Sequence, residues 1–245
     1  MKKILFEVCV DTIQGAIDAV NNGADRLELC DALGIGGTTP SAGLMKRAAK
    51  LGVPIYAMIR PRGGDFIFNF EDMDVMLHDI DRCRHYGMAG IVIGMTHENG
   101  ALDIAKLERL ISQADGMGVT LHRAFDVTPD TSEALEQAIE LGIERILTSG
   151  QRETALEGAL KIKSVIDAAA GRISIMPCSK INPPNVESLF KIFKVSEIHS
   201  SCRTLVGSPY TENAPSMAPG DDFSRHITDP VKVKALAEYL QNLAQ

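Results

Sequence analysis

Two short polar motifs carry the residues best suited to chemistry. The first reads Arg-Pro-Arg-Gly-Gly-Asp-Phe and begins with Arg60 and Arg62, and the second reads His-Arg-Ala-Phe-Asp and contains His122, Arg123 and Asp126. Each follows a short apolar run that is typical of a buried strand. Arginine binds carboxylates and phosphates through paired hydrogen bonds. The three arginines therefore predict an anion-binding site at the ends of two strands.

Nearby carboxylates leave two interpretations open. Glu7, Glu28, Asp65 and Asp126 lie in or just after apolar segments and could neutralise the arginines. The motifs would then form a structural ion-pair network that orients the loops. Alternatively, the protein is an enzyme that acts on a small anionic metabolite, phosphorylated or carboxylated. In that case His122, Glu28 and Asp126 are the candidate catalytic residues, because these side chains transfer protons.

Four of the five cysteines fall at or just past the ends of apolar runs, and they suggest a metal site. Cys9 and Cys30 are the better pair, because each follows a glutamate by two residues and should share its face of a strand. Cys178 and Cys202 could extend the cluster, whereas Cys83 lies in a helix-like segment. Thiolates suit Cu(I) or Zn(II). The alternative is that these cysteines are ordinary small apolar side chains of the core.

A repeat of about 30 residues organises the elements that must position these side chains. In each copy a helix-like stretch ends at a glycine and an apolar strand follows. The glycines are Gly23, Gly52, Gly87, Gly118, Gly142 and Gly171. Glycine is common just after a helix because it adopts a left-handed backbone conformation without strain. One such repeat is the length of a βα unit.

Six such repeats, together with eight predicted strands, predict an α/β fold, a single (β/α)8 TIM-type barrel. The predicted strands are near 4–9, 26–30, 55–60, 90–94, 119–123, 144–149, 173–178 and 196–200. The predicted helices are near 12–22, 41–51, 70–87, 103–115, 131–141, 152–169, 184–193 and 230–243. An open doubly wound sheet would be expected to carry a Gly-x-Gly-x-x-Gly turn after the first strand, and this sequence has none there.

Composition and charge exclude several classes of function and partner for this protein. The chain has 245 residues, 45% hydrophobic and 23% charged, with a net charge of -7. Residues 1–245 are expected to form one TIM-barrel domain, with a long irregular loop at 203–229 that could act as a lid. Without a basic run, a long apolar span or a signal peptide, neither nucleic acid nor a membrane is expected as a partner. Five scattered cysteines indicate a reduced, cytoplasmic protein.

Seven stretches of the sequence resemble the CutC family of copper homeostasis proteins. They lie at 7–9, 22–30, 36–41, 59–66, 122–126, 147–150 and 199–201. The resemblance implies a cytoplasmic (β/α)8 barrel that is usually a homo-oligomer and handles Cu(I). It also implies Cys9 and Cys30 as the copper ligands, and no organic cofactor is expected.

The segment after the seventh predicted strand departs from the family. It reads Cys178-Ser179-Lys180 where the family has a glycine-rich turn, of the kind that binds phosphate in many barrels.

From the family resemblance, the leading function is Cu(I) binding in copper homeostasis, with a copper ion as partner. The alternative is an enzyme acting on a small anion, and a third is an oligomeric scaffold without chemistry.

Overall fold

Eight short strands form the centre of the molecule. The computed structural model describes residues 3–207 and 223–243. The strands are β1 (Leu5–Val10), β2 (Arg26–Leu29), β3 (Ile55–Met58), β4 (Gly90–Ile93), β5 (Gly118–Leu121), β6 (Arg145–Thr148), β7 (Ser174–Pro177) and β8 (Glu197–Ser200). All are parallel, in the order β7-β6-β5-β4-β3-β2-β1-β8. Together with the helices that alternate with them, they form the predicted (β/α)8 barrel.

Eight helices surround the strands. They are α1 (Ile13–Asn21), α2 (Ala42–Ala48), α3 (Phe70–His85), α4 (Ile104–Ala114), α5 (Thr131–Glu140), α6 (Ala159–Ala169), α7 (Pro183–Ile192) and α8 (Pro230–Leu243). The side chains of Thr12, Ser41 and Asp103 accept hydrogen bonds from the first turns of α1, α2 and α4 and cap these helices. Among the residues described, no helix is both long and apolar enough to cross a bilayer.

Two boundaries differ from the sequence prediction. Helix α6 begins at Ala159 rather than near 152, because Gly158 lies against the backbone of β6, where a Cβ would come within 1.9 Å of the Ser149 carbonyl oxygen. The loop predicted at 203–229 contains regular structure at both ends. Its ends are β9 (Arg203–Val206) and β10 (Arg225–Thr228), which pair antiparallel. The proposed lid itself, residues 208–222, lies outside the described residues.

The register of β1 and β2 decides which side chains meet inside the barrel. Cys9 lies opposite Glu28, and Glu7 lies opposite Arg26. The similar Glu-x-Cys patterns of the two strands are therefore offset by two residues, as expected where strands of a barrel are staggered. Cys30 consequently lies beyond the last paired residue of β2, and not beside Cys9.

Outward-facing side chains of the strands pack against the helices and form the main apolar core. Phe6, Leu27, Ile91 and Ile146 are among its members, and each is almost completely buried. Burying one such side chain contributes about 1.5 to 3 kcal/mol to the free energy of unfolding. This packing holds the strands in place, so the inward face is free to carry polar residues.

A belt of polar side chains fills the amino-terminal end of the barrel, and we call it the lower ion-pair layer. Its members are Glu7, Arg26, Tyr56, Glu144, Arg145 and Glu197. Arg26 donates to Glu7 over 2.5 Å and also pairs with Glu197. Arg145 donates to Glu197 over 3.1 Å, and the Tyr56 hydroxyl donates to Glu144 over 2.7 Å. Each charge of the layer thus has an opposite charge in contact with it.

Small residues make room for this layer. The Tyr56 ring crosses the barrel close to Gly90 and Gly118, where an added Cβ would lie within 2.1 Å and 2.2 Å of its atoms. The guanidinium carbons of Arg26 and Arg145 lie 5.2 Å and 4.5 Å from the centre of that ring. Both contacts are in the range of cation–π interactions. The layer therefore closes the lower end of the barrel with paired charges stacked on an aromatic ring.

Candidate functional site

A cavity of about 300 Å³ opens at the carboxyl ends of the strands. We call it the mouth cavity. The lining residues whose side chains could bind a ligand or take part in catalysis include Cys9, Glu28, Arg60, His122, Cys178 and His199. Parallel barrels place their active sites at this end, because loops that follow several strands converge there. The cavity is large enough for a small molecule or an ion with a few protein ligands.

Three buried side chains in the mouth cavity form a group that could hold a metal. Ligand atoms of Cys9, Glu28 and His199 all lie within 4.8 Å of one another. The geometry follows from strand pairing, because Cys9 faces Glu28 across β1 and β2, and His199 comes from β8 on the other side of β1. Thiolate, imidazole and carboxylate are all metal-binding groups.

His199 is oriented by a carboxylate beneath it. Its Nδ1 donates to Glu7 Oε1 over 2.8 Å, while its Nε2 lies 4.0 Å from Glu28 Oε2. Burial alone would lower the pKa of His199, but the negative charges of Cys9 and Glu28 and the bond to Glu7 raise it well above its usual value. A carboxylate that fixes one ring nitrogen is the common arrangement behind a metal-binding histidine. A metal would have to displace the proton on Nε2.

Glu7 lies one layer below the cavity, in the lower ion-pair layer. Burial opposes its charge, yet the hydrogen bond from His199 and the charge of Arg26 lower the pKa of Glu7 to about 2. The sequence motif had suggested Glu7 at the barrel rim with Glu28, Arg60 and His122. The two-residue stagger between β1 and β2 explains why it lies deeper.

Glu28 is a buried carboxyl with an open oxygen. Its Oε2 accepts a hydrogen bond from the Cys30 thiol at 3.5 Å, whereas its Oε1 has no partner among the described residues. Burial raises the pKa of Glu28, the charge of His199 opposes this, and the neighbouring Glu7 raises the pKa further. A carboxyl in this setting can exchange a proton with a ligand.

The remaining predicted metal ligands lie outside the three-residue group. Burial raises the pKa values of the Cys30 and Cys178 thiols well above the usual value and that of Cys202 to about 11. Cys178 lines the mouth cavity. Cys30 is packed beneath Gly37, where an added Cβ would lie 3.2 Å from its sulfur. Cys202 lies in the apolar core with its sulfur 3.4 Å from the Ser200 hydroxyl.

Arg60 is a buried cation without a carboxylate partner in the part of the chain described. Its terminal nitrogens donate to the carbonyl oxygens of Ile35, Gly37 and Gly64 at 2.7 to 3.1 Å. Its Nε has no partner among these residues. Burial and the neighbouring charge of Arg62 lower the pKa of Arg60. Backbone dipoles hold the side chain, but no anion neutralises it.

His122 presents a second open donor to the same cavity. Its Nδ1 accepts a hydrogen bond from the Ala124 amide at 3.0 Å, so the ring proton of the neutral form is on Nε2. That nitrogen is buried and has no partner among the described residues. Burial and the charge of Arg60 lower the pKa of His122 to about 3. Gly94 makes room for the ring, since an added Cβ would lie 2.3 Å from its Cε1.

The other predicted anion-binding residues are already paired. Arg62 donates to Asp65 over 3.0 Å and stacks on Phe68, outside the cavity lining. Arg123 does line the cavity, but its Nε donates to Asp126 over 2.8 Å. Asp126 also accepts from the amides and hydroxyls at the end of β6. These contacts favour an anchoring role for Asp126 between two loops.

The turn after β7 keeps a glycine-like backbone without glycine. Ser179 and Lys180 have φ angles of 80° and 54°, in the left-handed region that favours glycine. The ammonium of Lys180 pairs with the exposed carboxylate of Glu153. This contact does not favour a contribution of the Lys180 charge to an anion site.

Five of the six residues of the lower layer were not recognised from the sequence: Arg26, Tyr56, Glu144, Arg145 and Glu197. Arg26, Arg145 and Glu197 are each the first residue of a strand, and a charge there usually indicates solvent. The signal in the sequence was the alternation of side chains along a strand. Arg26 lies two residues before Glu28, and so on the same face of β2. Their pairing across the barrel depends on the register of five strands, which single-strand patterns do not contain.

Comparisons with known proteins agree on one family. The model of the CutC family matches residues 4–204. A family protein CutC from Rhizobium meliloti (strain 1021) is 54% identical over 202 residues, covering 82% of each chain. Another, from Sinorhizobium medicae (strain WSM419), is 48% identical over 252 residues and covers 100% of this chain and 99% of its own.

Solved structures give the same result for the fold. A proposed copper homeostasis protein CutC from Streptococcus agalactiae superposes with a TM-score of 0.76 at 32% identity, covering 81% of this chain and 98% of its own. Thiamine phosphate pyrophosphorylase from Pyrococcus furiosus superposes with a TM-score of 0.59 at 12% identity, covering 100% and 98%. At that identity the second likeness concerns the barrel fold alone.

Proposed function

The chain belongs to the CutC family of copper homeostasis proteins, and from that premise we propose that it binds Cu(I) in the mouth cavity through Cys9 and His199. The ion is cargo rather than a resident cofactor. The observation that carries the proposal is the buried group of Cys9, Glu28 and His199, with ligand atoms within 4.8 Å of one another.

The chemistry of these donors fits a soft ion in part. A thiolate and an imidazole are good ligands for Cu(I), whereas a carboxylate is a harder ligand that suits Zn(II) better. Glu28 is therefore assigned a supporting role next to the ion. The bond from His199 to Glu7 supports the assignment, because it leaves Nε2 as the nitrogen that faces Cys9 and Glu28.

Competition with a chromogenic Cu(I) chelator under reducing, anaerobic conditions tests the proposal. We expect Cys9→Ala to abolish the tightest site and His199→Gln to weaken it by more than about tenfold. Cys83→Ala is the control, because Cys83 is buried in α3 and belongs to the apolar core. If wild type and Cys9→Ala compete equally, the cavity is not the copper site. The same titration with Zn(II) measures the preference between the two ions.

The cysteine pair predicted from sequence remains a distinct hypothesis for the ligands. Cys30 lies near Glu28, with its sulfur 3.5 Å from Glu28 Oε2. If Cys30→Ala weakens Cu(I) binding as much as Cys9→Ala while His199→Gln does not, the pair Cys9 and Cys30 is correct. Cys178→Ala and Cys202→Ala test whether further thiols take part.

A second candidate function is catalysis on a small anionic metabolite. Three buried polar atoms that have no partner within residues 3–207 and 223–243 favour it: Glu28 Oε1, Arg60 Nε and His122 Nε2 belong to residues that line the same cavity. Buried polar atoms are normally paired, so three open ones around one cavity suit a ligand that pairs them. Glu28 and His122 would then be the acid–base residues. A screen of phosphorylated and carboxylated metabolites for turnover, with Glu28→Gln as the inactive comparison, tests this function.

We also propose a cytoplasmic location and a homo-oligomer. The five cysteines are free thiols in the structure, which suits a reducing compartment. The oligomer rests on the family resemblance. Cell fractionation tests the location, and light scattering coupled to size-exclusion chromatography tests the oligomer. A single species near the chain mass of 26.5 kDa would contradict the oligomer.

A further inference from the structure

We propose that Arg60 and His122 form a carboxylate-binding subsite on one wall of the mouth cavity, and that its ligand is a small organic carboxylate. The inference rests on the second candidate function, a site for a small anion, and assigns the chemical class of that anion. It is independent of copper binding, because neither residue belongs to the group of Cys9, Glu28 and His199.

Arg60 supplies the charge of the subsite. It is 4% exposed, and all of its hydrogen bonds go to neutral backbone carbonyl groups. The nearby carboxylate of Asp65 accepts a hydrogen bond from Arg62 instead. A buried cation without a counter-charge is costly, and a ligand anion at the open Nε would remove that cost.

His122 supplies a neutral donor beside that charge. It is 3% exposed, and the Ala124 amide fixes its tautomer by donating to Nδ1. The N–H on Nε2 is buried and has no partner among the described residues, so a residue that lines the cavity carries a donor without adding a second positive charge. A carboxylate has two oxygens, so it can accept one hydrogen bond from each residue while its single charge balances that of Arg60.

Phe66 holds the two donors in place. Its ring centre lies 4.8 Å from that of His122 and 5.2 Å from the guanidinium carbon of Arg60. The three carbonyl groups bonded to Arg60 and the packing of Gly94 against His122 further restrict both side chains. Donors that are fixed before the ligand arrives lose little entropy on binding.

The surroundings favour a carboxylate over a phosphate. Phosphate sites in barrels use backbone amides of the turns after the seventh and eighth strands. Here that corner of the cavity is formed by Ser179 and Lys180, and the Lys180 ammonium is paired with Glu153. Arg123 is held by Asp126. One uncompensated positive charge and two open donors match a monoanion with two oxygens better than a phosphate with more charge and more acceptors.

Ligand-observed NMR and thermal unfolding with acetate, pyruvate, succinate and benzoate test the subsite, with inorganic phosphate at matched ionic strength. We expect at least one carboxylate to bind wild type and raise its unfolding midpoint, and phosphate to bind at least about tenfold more weakly. Arg60→Gln and His122→Phe should each weaken the carboxylate by about tenfold or more, whereas His122→Gln, which keeps an N–H donor, should retain most of the affinity.

Arg172→Gln is the matched control, because Arg172 is an exposed arginine paired with Glu136 at the amino-terminal end of β7. Circular dichroism of each variant verifies folding, and the contrast between His122→Phe and His122→Gln stands even if Arg60→Gln fails to fold. The subsite is overturned if no carboxylate binds wild type, or if His122→Phe binds as wild type does. Phosphate binding that exceeds carboxylate binding overturns the ligand class but keeps the anion site. Carboxylate binding without turnover of any metabolite supports the subsite and contradicts the second candidate function, catalysis.

Discussion

The two ends of the barrel interior differ in how their buried polar and charged side chains are paired. In the lower ion-pair layer, Arg26 and Arg145 each contact glutamates, and the layer is closed by Tyr56. In the mouth cavity, Arg60 and His122 keep nitrogen atoms without partners among the described residues. Both regions exclude most solvent, so burial alone does not distinguish them. This difference is the basis of our proposal that the lower layer stabilises the barrel and that the upper residues bind a ligand.

Glu7 joins the two regions. It accepts hydrogen bonds from Arg26 below and from His199 above. A structural carboxylate therefore also sets the orientation and protonation of a side chain in the mouth cavity. Changes in the lower layer should therefore reach the cavity through Glu7.

The largest expected effect comes from breaking the lower layer. Arg26→Leu leaves Glu7 and Glu197 as buried carboxylates without that partner, so we expect a loss of about 3 to 5 kcal/mol in the free energy of unfolding. Arg172→Leu removes an exposed pair with Glu136 and should cost far less, because water and salt screen it. Urea unfolding measures both, and one domain should unfold in a single transition. Equal losses would mean that the layer does not stabilise the barrel.

An intermediate effect should appear on acidification. The pKa of folded His122 is lowered to about 3, whereas an unfolded histidine titrates near 6.5. Between these pH values the unfolded state binds the additional proton, so this residue decreases the free energy of unfolding as the pH falls. Relative to wild type, His122→Gln should therefore gain about 2 kcal/mol between pH 7 and pH 5. A constant difference across that range would show that His122 is not a buried neutral imidazole.

The link between the regions should give a smaller effect. Glu7→Gln keeps an oxygen that can accept from His199, but it removes the charged acceptor whose hydrogen bond, after the charges of Cys9 and Glu28, helps to raise the pKa of that histidine. We expect about tenfold weaker Cu(I) binding, as for other carboxylates behind metal-binding histidines. NMR titration should also show a lower pKa for His199. An unchanged Cu(I) affinity together with a lowered pKa would separate His199 from the copper site.

The smallest expected effect concerns the turn after β7. Lys180→Gln removes an exposed charge that is paired with Glu153 on the surface. We therefore expect Cu(I) affinity and carboxylate affinity to stay within about twofold of wild type, because an exposed pair contributes little. A larger loss of carboxylate affinity in binding measurements would mean that Lys180 turns into the cavity when a ligand is present.

The sequence predicted elements well because their signals are local. The glycine at each helix end and the apolar run that follows are contained within single repeats, so Gly23, Gly87 and Gly142 were enough to indicate βα units. The loop ends β9 and β10 were missed because neither has a clear alternating pattern, and each depends on the other for pairing.

The grouping of candidate side chains could be predicted where position on a strand was enough. Arg60, His122 and Glu28 were recognised from their places at strand ends, and they line one cavity. The contacts between strands could not be predicted, since the stagger of β1 against β2 brings Cys9 to Glu28 and not to Cys30. The hydrogen-bond partners of the arginines also depend on loop geometry. Arg62 donates to Asp65 within its own loop, while the acceptors of Arg60 among the described residues are backbone carbonyl groups.

X-ray absorption at the copper edge of the Cu(I)-loaded protein tests the central claim most directly. If the open side chains of the mouth cavity hold the ion, wild type should show one sulfur neighbour and at least one nitrogen or oxygen neighbour, from Cys9 and His199. His199→Gln should lose the nitrogen signal, and Cys83→Ala should leave the spectrum unchanged. A spectrum with two sulfur neighbours and no imidazole would contradict this assignment and place the ion between Cys9 and another thiol.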